Sequence, residues 1–362
     1  MRSAFGVPAR AWIGAREVRY RTDEAGLLRY VSAVISLYPL RFAPLYQYRL
    51  WGGRRLSHLL GEPFPGGRPI GEAWLLSDRD AHQSIVTAGP FQGSSLRHLL
   101  EEYPQQMLGQ LNGHFARFPL LLKFLDVTGK LSIQVHPSDA DEKLLPAGDT
   151  GKTEAWVVLN VGHEGKIFAG LKGFTHADAL RQAISAGTVV DELASFTPTP
   201  GDAVLIPAGT VHSLSDVVVF EVQQNSDVTY RLYDWGSVDP TTGQRRRLQV
   251  DQAIACIDFR RGAITPAIAQ VEQVQPVLRE SLIQCQQFGV VRVQGHEPFS
   301  VGAQGIPRVL VCLCGSGYLD AAGQEYPFRK GDVILLPAAI GTCCCRPRGP
   351  VCMLEISLPQ SS

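Results

Sequence analysis

Residues 201–212 read Gly-Asp-Ala-Val-Leu-Ile-Pro-Ala-Gly-Thr-Val-His, and residues 331–342 read Gly-Asp-Val-Ile-Leu-Leu-Pro-Ala-Ala-Ile-Gly-Thr. Each stretch is a Gly-Asp turn, a short apolar run of the length of a buried strand, and a turn led by proline. A unit that recurs within one chain signals an internal duplication. Both copies come late in their halves, which predicts two related β units at about residues 37–260 and 261–362, preceded by a flexible extension over residues 1–36. Outward from the repeat, other short apolar or alternating runs are closed by Gly, Pro and Asp: Leu131–Val135, Ala155–Leu159, Val217–Val222 and Val309–Leu313. That rhythm is the signature of an all-β sandwich or barrel. Two stretches carry helical spacing instead, Ser94 to Leu111 and Thr175 to Leu193, the second with Thr175 or Asp178 as the expected cap. They read as helical insertions on a β scaffold.

Composition sets the outer limits. The chain has 362 residues, 45% hydrophobic and 19% charged, with Lys+Arg and Asp+Glu balanced at 34 each. A chain of this length has room for two domains with cores of their own. Zero formal charge leaves no broad basic footprint for nucleic acid, and no apolar run is long enough to span a bilayer. The first 36 residues are rich in arginine and contain no apolar core of a secretion signal. All eight cysteines follow residue 250, three of them consecutive at Cys343 to Cys345. Neighbouring side chains on a strand point to opposite faces, so this arrangement suits a disulfide framework badly and predicts core thiols in a reducing cytoplasm.

The chemistry gathers in the first half. In Leu131-Ser132-Ile133-Gln134-Val135-His136, the apolar residues share one strand face while Ser132, Gln134 and His136 share the other. Residues i and i+2 of a strand lie roughly 6.5–7 Å apart, within reach of one ion. Lys152 and Glu154 share a face in the same way. With His212 at the end of the first repeat copy, the set Gln134, His136, Glu154 and His212 offers two imidazoles, one carboxylate and one amide oxygen. Such a mixture suits a borderline divalent cation acting as a Lewis acid. Arginine outnumbers lysine 27 to 7, yet six lysines fall between Lys123 and Lys172. An ammonium suits phosphate as a point charge. Gly151-Lys152-Thr153 imitates the end of a P-loop but has Pro146 where glycine is required.

The pattern Gly-x5-Pro-x-Gly-x2-His, filled by Gly201, Pro207, Gly209 and His212, resembles the second motif of the cupin superfamily. The resemblance implies a mainly β chain of two cupin-type jelly-roll β-barrels. The first would carry the metal and the helical insertions; the second would be metal-free, because Ala339 and Thr342 depart from the motif.

A closer resemblance follows from Trp51-Gly52-Gly53, Gly71-Glu72-Ala73-Trp74, Leu131 to Pro137, Lys152-Thr153-Glu154, Pro207 to His212, and Asn225-Ser226-Asp227 leading to Arg231. In this order they resemble the type I mannose-6-phosphate isomerase family, in its shorter bacterial branch. The resemblance implies Zn²⁺ held by Gln134, His136, Glu154 and His212, one ion per chain, with Arg231 catalytic. It further implies that Glu221 and Asp227 line the pocket and that Lys123, Ser132 and Lys152 lie near the sugar phosphate. The implied reaction interconverts mannose 6-phosphate and fructose 6-phosphate through a cis-enediolate. That chemistry needs a base, a stabiliser of oxyanion charge and a phosphate anchor. Glu221 sits among Val217 to Phe220 and Val222, where apolar neighbours raise a carboxylate pKa toward the range of a working base. Glu221, Lys152 and a metal-bound hydroxide all remain open as that base. The partner expected is a small sugar phosphate, with neither nucleic acid nor membrane. Rival readings are a cupin isomerase of glucose 6-phosphate and a sugar-binding cupin without turnover. The oligomeric state has no signature in the sequence.

Overall fold

The computed structural model describes residues 36–359 except 65, 174, 240 and 241, together with the backbone of three strands before residue 36. Those three strands, Ala11–Ile13, Arg16–Thr22 and Leu28–Val34, pair antiparallel with one another. The expectation of a flexible extension over residues 1–36 otherwise lies outside the described residues.

The described chain is mostly β. A nine-stranded sheet is built around the long strands Leu120–Lys130, Glu154–Leu171 and His212–Gln224. His212–Gln224 lies between the other two, while Leu45–Gly53 and Ile70–Leu76 extend the sheet beyond Leu120–Lys130. Ala203–Ile206 pairs with the start of Glu154–Leu171, and Ile133–Val135 joins His212 to Tyr230–Tyr233. The run Val217 to Val222 is apolar at nearly every position because both sheet faces are covered. On one face Leu125, Val127, Trp156, Val158, Val217 and Val219 close a core beneath the mouth of the curl. On the other, Leu122, Phe124, Val218, Phe220 and Val222 join a core with Leu282, Val290, Val309, Val311, Leu354 and Ile356 from the second half.

The second half forms a seven-stranded sheet facing a four-stranded one. Between them pack Leu310, Cys312, Ile334 and Met353 from the first and Phe299, Leu319, Phe328, Cys343 and Cys345 from the second. The early strand Leu40–Arg41 pairs with Val333–Leu336 at the edge of the seven-stranded sheet, so the two sheet systems share a piece of the N-terminal chain. All eight cysteines are free; four are buried, whereas Cys314 is exposed and so is no core thiol.

The repeat occupies equivalent places. Its apolar runs are the strands Ala203–Ile206 and Val333–Leu336, and each is followed by a turn into a strand that begins at His212 or at Thr342. His212 is fully buried, while Thr342 is exposed. Gly209, at φ +82°, holds the first turn against His136 and Cys256, where a Cβ would meet the Cys256 carbonyl at 3.0 Å. The second copy has Ala339 there and turns through a short 3-10 helix, Ala338–Ile340.

Helices appear where helical spacing predicts them: Leu96–Glu102 and Pro104–Leu108 in the first stretch, Ala177–Ala186 in the second. The second cap is neither Thr175 nor Asp178. His176 takes it, its Nδ1 accepting from the Ala179 amide, while the Thr175 hydroxyl is drawn to the Lys172 carbonyl and to Glu192.

Candidate metal centre and the cavity above it

Sheet register assembles the centre. Gln134 lies directly opposite His212 on one side and Arg231 on the other, so the three side chains share a face. Glu154 and Trp156 belong to the neighbouring strand, whose Trp156 stands opposite Glu221, itself opposite Lys123, itself opposite Trp74. One row across the sheet thus reads Trp74, Lys123, Glu221, Trp156.

His136, Glu154 and His212 are all buried, and their ligating atoms lie within 4.8 Å of one another. Each imidazole is oriented by its outer nitrogen. His136 Nδ1 is 2.7 Å from the Val228 carbonyl and His212 Nδ1 is 2.9 Å from the Thr210 carbonyl. A carbonyl only accepts, so both rings carry their proton on Nδ1 and turn an Nε2 lone pair inward. Burial, with the Lys152 charge added to it, drives the His136 pKa down to about 3, and burial lowers that of His212, which keeps both rings neutral. Glu154 is held ionised, well below the usual carboxylate range: burial opposes its charge, and the Lys152 ammonium beside it outweighs that opposition.

These groups fit a divalent cation. Glu154 Oε1 is buried without a hydrogen-bond partner and faces His212 Nε2 at 3.3 Å, two lone pairs with no proton between them. Such an arrangement calls for a cation. Gln134 brings its amide to 3.2 Å from the same Nε2, and rotation of that amide exchanges its nitrogen for its oxygen. Lys152 Nζ lies 2.6 Å from Glu154 Oε2 and 3.0 Å from His136 Nε2, so an ammonium answers the remaining lone pairs. The carboxylates Glu154 and Glu221 raise the Lys152 pKa against the opposing effect of its burial.

Above the triad opens a cavity of about 380 Å³, with Gln134 and Lys152 at its junction with the centre. Lys123, Glu221, Asp227 and Arg231 also line it. Glu221 is buried, accepts a 2.9 Å hydrogen bond from the Trp156 indole, and lies 3.4 Å from Lys123 Nζ. Burial first, and then the charge of Glu154, raise its pKa. Lys123 is itself buried, with Nζ 4.9 Å from the centre of the Trp74 ring. Arg231 forms no ion pair among the described residues and its Nε has no partner; burial and the charge of Arg246 lower its pKa. Asp227 is exposed at the rim. Ser132 stands apart from the cavity wall, its hydroxyl donating to Gln134 Oε1 at 3.1 Å. Lys130, Lys143, Lys166 and Lys172 are exposed.

Residues 40–155 match the family model for the catalytic domain of type I phosphomannose isomerase. The mannose-6-phosphate isomerase ManA of Bacillus subtilis is 34% identical over 309 residues, which is 84% of this chain and 94% of the relative. The chain belongs to the type I mannose-6-phosphate isomerase family. A second family member, the mannose-6-phosphate isomerase of Streptococcus mutans, is 32% identical across 83% of this chain and 93% of its own. The crystal structure of the Bacillus subtilis isomerase superimposes with a TM-score of 0.80 at 29% identity, covering 88% of this chain and 99% of that one. A phosphomannose isomerase structure from Salmonella typhimurium, at 17% identity and a TM-score of 0.72, shares the fold over 89% of this chain and 100% of its own. In this member of the family, His136, Glu154 and His212 form a candidate metal-holding group.

Several cavity residues went unread in the sequence as site residues. Arg49 and Arg246 line the wall, each held by a carboxylate: Arg49 by Glu72 at 2.8 and 3.2 Å, Arg246 by Asp234. Tyr48 and Asp239 join them. Glu72 and Trp51 lay within segments quoted for the family resemblance, but Arg49 and Arg246 carried no local signal.

Proposed function

We propose that this chain interconverts mannose 6-phosphate and fructose 6-phosphate, with Zn²⁺ held by Gln134, His136, Glu154 and His212. The observation that carries the reading is the buried triad with two inward lone pairs and an unpartnered carboxylate oxygen, opening onto a cavity lined by fixed cations. When bound, the ion supplies a Lewis-acid charge for sugar oxygens.

Glu221 is the group we assign to the C2 proton. Burial and the charge of Glu154 raise its pKa, the direction a base at neutral pH needs, and Lys123 and the Trp156 indole fix its carboxylate in one orientation. The proton then returns to C1 on the same face, which one carboxylate can serve. Arg231 offers a guanidinium free of any ion pair among the described residues to the developing enediolate charge. Lys152, beside Glu154, orients a sugar oxygen at the junction of centre and cavity. Asp227 at the rim is assigned to a sugar hydroxyl, and Ser132 supports Gln134 from behind. The division at residues 260/261 into a metal-bearing and a metal-free cupin unit belongs to the same proposal, supported by His212 and Thr342 at equivalent places. So does a cytoplasmic setting, which keeps thiols such as the eight free cysteines reduced.

The test is a coupled assay of purified protein on mannose 6-phosphate and glucose 6-phosphate, before and after chelation, with metal content measured in parallel. Turnover of mannose 6-phosphate that chelation abolishes and zinc restores is expected. Preference for glucose 6-phosphate, or turnover that survives complete metal loss, refutes the reading.

A further inference from the structure

We propose that Arg49 and Arg246, each locked by its own carboxylate, form the grip on the phosphate group at the mouth of the cavity, and that Lys123 belongs to the reacting end instead. The inference rests on the function proposed above and assigns its anion subsite to residues that no motif marked.

The two arginines are built alike. Arg49 presents Nε and Nη2 to the two oxygens of Glu72, whose carboxylate also accepts the Trp74 indole N–H at 2.6 Å. Glu72 is buried and ionised, its pKa brought down to about 2: burial opposes the charge, and the cations Lys123 and Arg49 overcome it. Arg246 presents the same edge, Nε and Nη2, to Asp234, which is also buried. In each pair the carboxylate occupies one edge of the guanidinium and fixes its plane. The far edge still carries N–H groups, and both side chains retain about a third or less of their exposure, at 31% and 27%. On Arg49, Nη1 makes one 3.1 Å bond to the Tyr48 carbonyl and keeps a second hydrogen. A planar fork fixed in this manner matches a phosphate and needs little ordering when the anion arrives.

The charges of the two arginines converge on a third. Arg49, Arg231 and Arg246 all line the one cavity. Three guanidiniums therefore surround one cavity, and the mutual repulsion is relieved by an anion between them. Glu72, Glu221, Asp227 and Asp239 line the same cavity, but Glu72 is taken up by Arg49, and Glu221 lies against Lys123. Lys123 is a poor candidate for the phosphate. Its ammonium is almost fully buried between Glu221 and the Trp74 ring, on the row that ends at Trp156. An anchor at the mouth and a base on that row set the sugar chain along the cavity, phosphate outward and C1–C2 toward Glu221 and the metal centre.

The test uses the metal-loaded full chain. Inorganic phosphate is titrated calorimetrically against the wild type, Arg49→Ala and Arg246→Ala, and KM and kcat for mannose 6-phosphate are measured on the same preparations. Loss of a charge-assisted contact to a dianion predicts phosphate affinity and KM weakened on the order of 10-fold or more in each variant, with kcat changed less. Glu72→Gln, which leaves Arg49 charged but unlocked, should raise KM by a smaller factor. Because phosphate binding is read without turnover, a wild type that binds phosphate but does not isomerise mannose 6-phosphate refutes the proposed function alone. Phosphate affinity and KM within twofold of wild type in both arginine variants, with melting temperatures preserved, overturn the grip. So does a variant that loses kcat at unchanged KM.

Discussion

Replacing Lys123 by methionine removes one charge beside the proposed base while nearly keeping the volume of a buried side chain. In the native protein Nζ lies 3.4 Å from Glu221 Oε1, with both side chains at 6% exposure or less, so water and salt screen the pair little. At an effective dielectric of about 20, Coulomb attraction at this separation is about 5 kcal/mol. Lys152 also lowers the Glu221 pKa, and that contribution stays in place in the variant. A single neighbouring cation typically moves a carboxylate pKa by about 1–3 units. The sign is fixed: losing the cation disfavours the ionised form, so the Glu221 pKa, already raised by burial, rises further. A base acts only when deprotonated, and the acid limb of kcat/KM must therefore move up by about 1–3 pH units, with activity recovering at alkaline pH. The assay is kcat/KM for mannose 6-phosphate from about pH 5 to pH 9 in wild type and Lys123→Met. A profile scaled down evenly, its acid limb unmoved, would refute the coupling to Glu221. A rise in KM alone would return Lys123 to the phosphate role that the family resemblance implies.

Other expectations are separate in origin. His136→Ala and His212→Ala should each lower bound metal from about one ion per chain to a small fraction by elemental analysis, since each removes one of few ligands; wild-type content in both would dismiss the site. Arg231→Ala should reduce kcat on the order of 10²–10³, as loss of a preorganised donor to a developing oxyanion does elsewhere; a change confined to KM would place Arg231 in ground-state binding. Thr342→Ala, at the exposed place that matches His212 in the repeat, should leave steady-state turnover nearly unchanged and shift stability by no more than about 0.5 kcal/mol. A large loss of kcat there would mean that the second β unit takes part in the reaction.

What could be read locally was read from period and spacing. Alternation over Leu131 to His136 put Ser132, Gln134 and His136 on one face, and the Gly-Asp, Pro and Gly positions of residues 201–212 placed His212 at the end of the repeated unit, where the structure begins a strand. Those features depend on neighbours two to six residues away, where backbone geometry alone dictates direction. The same reasoning failed at the helix cap, because Thr175 and Asp178 have the preferred chemistry while the tertiary contact of Thr175 with Glu192 decides which residue is left to cap.

The second kind of information exists only once the strands are paired. Arg49 sits next to Glu72 because Leu45–Gly53 pairs with Ile70–Leu76, and Lys123 meets Glu221 because Leu120–Lys130 lies against His212–Gln224. Arg246 reaches the cavity from a stretch that holds no strand, anchored by Asp234. None of these pairs shares a local period, so no periodicity in the sequence links the partners. Local spacing alone picked out residues with metal-ligating chemistry and the strand faces that carry them. Strand order and register, fixed by burial of Val217 to Val222 on both sides of the sheet, decided which cation faces which carboxylate. In the cavity that pairing, acting together with burial, moves the pKa values of Glu72 and Glu221 in opposite directions.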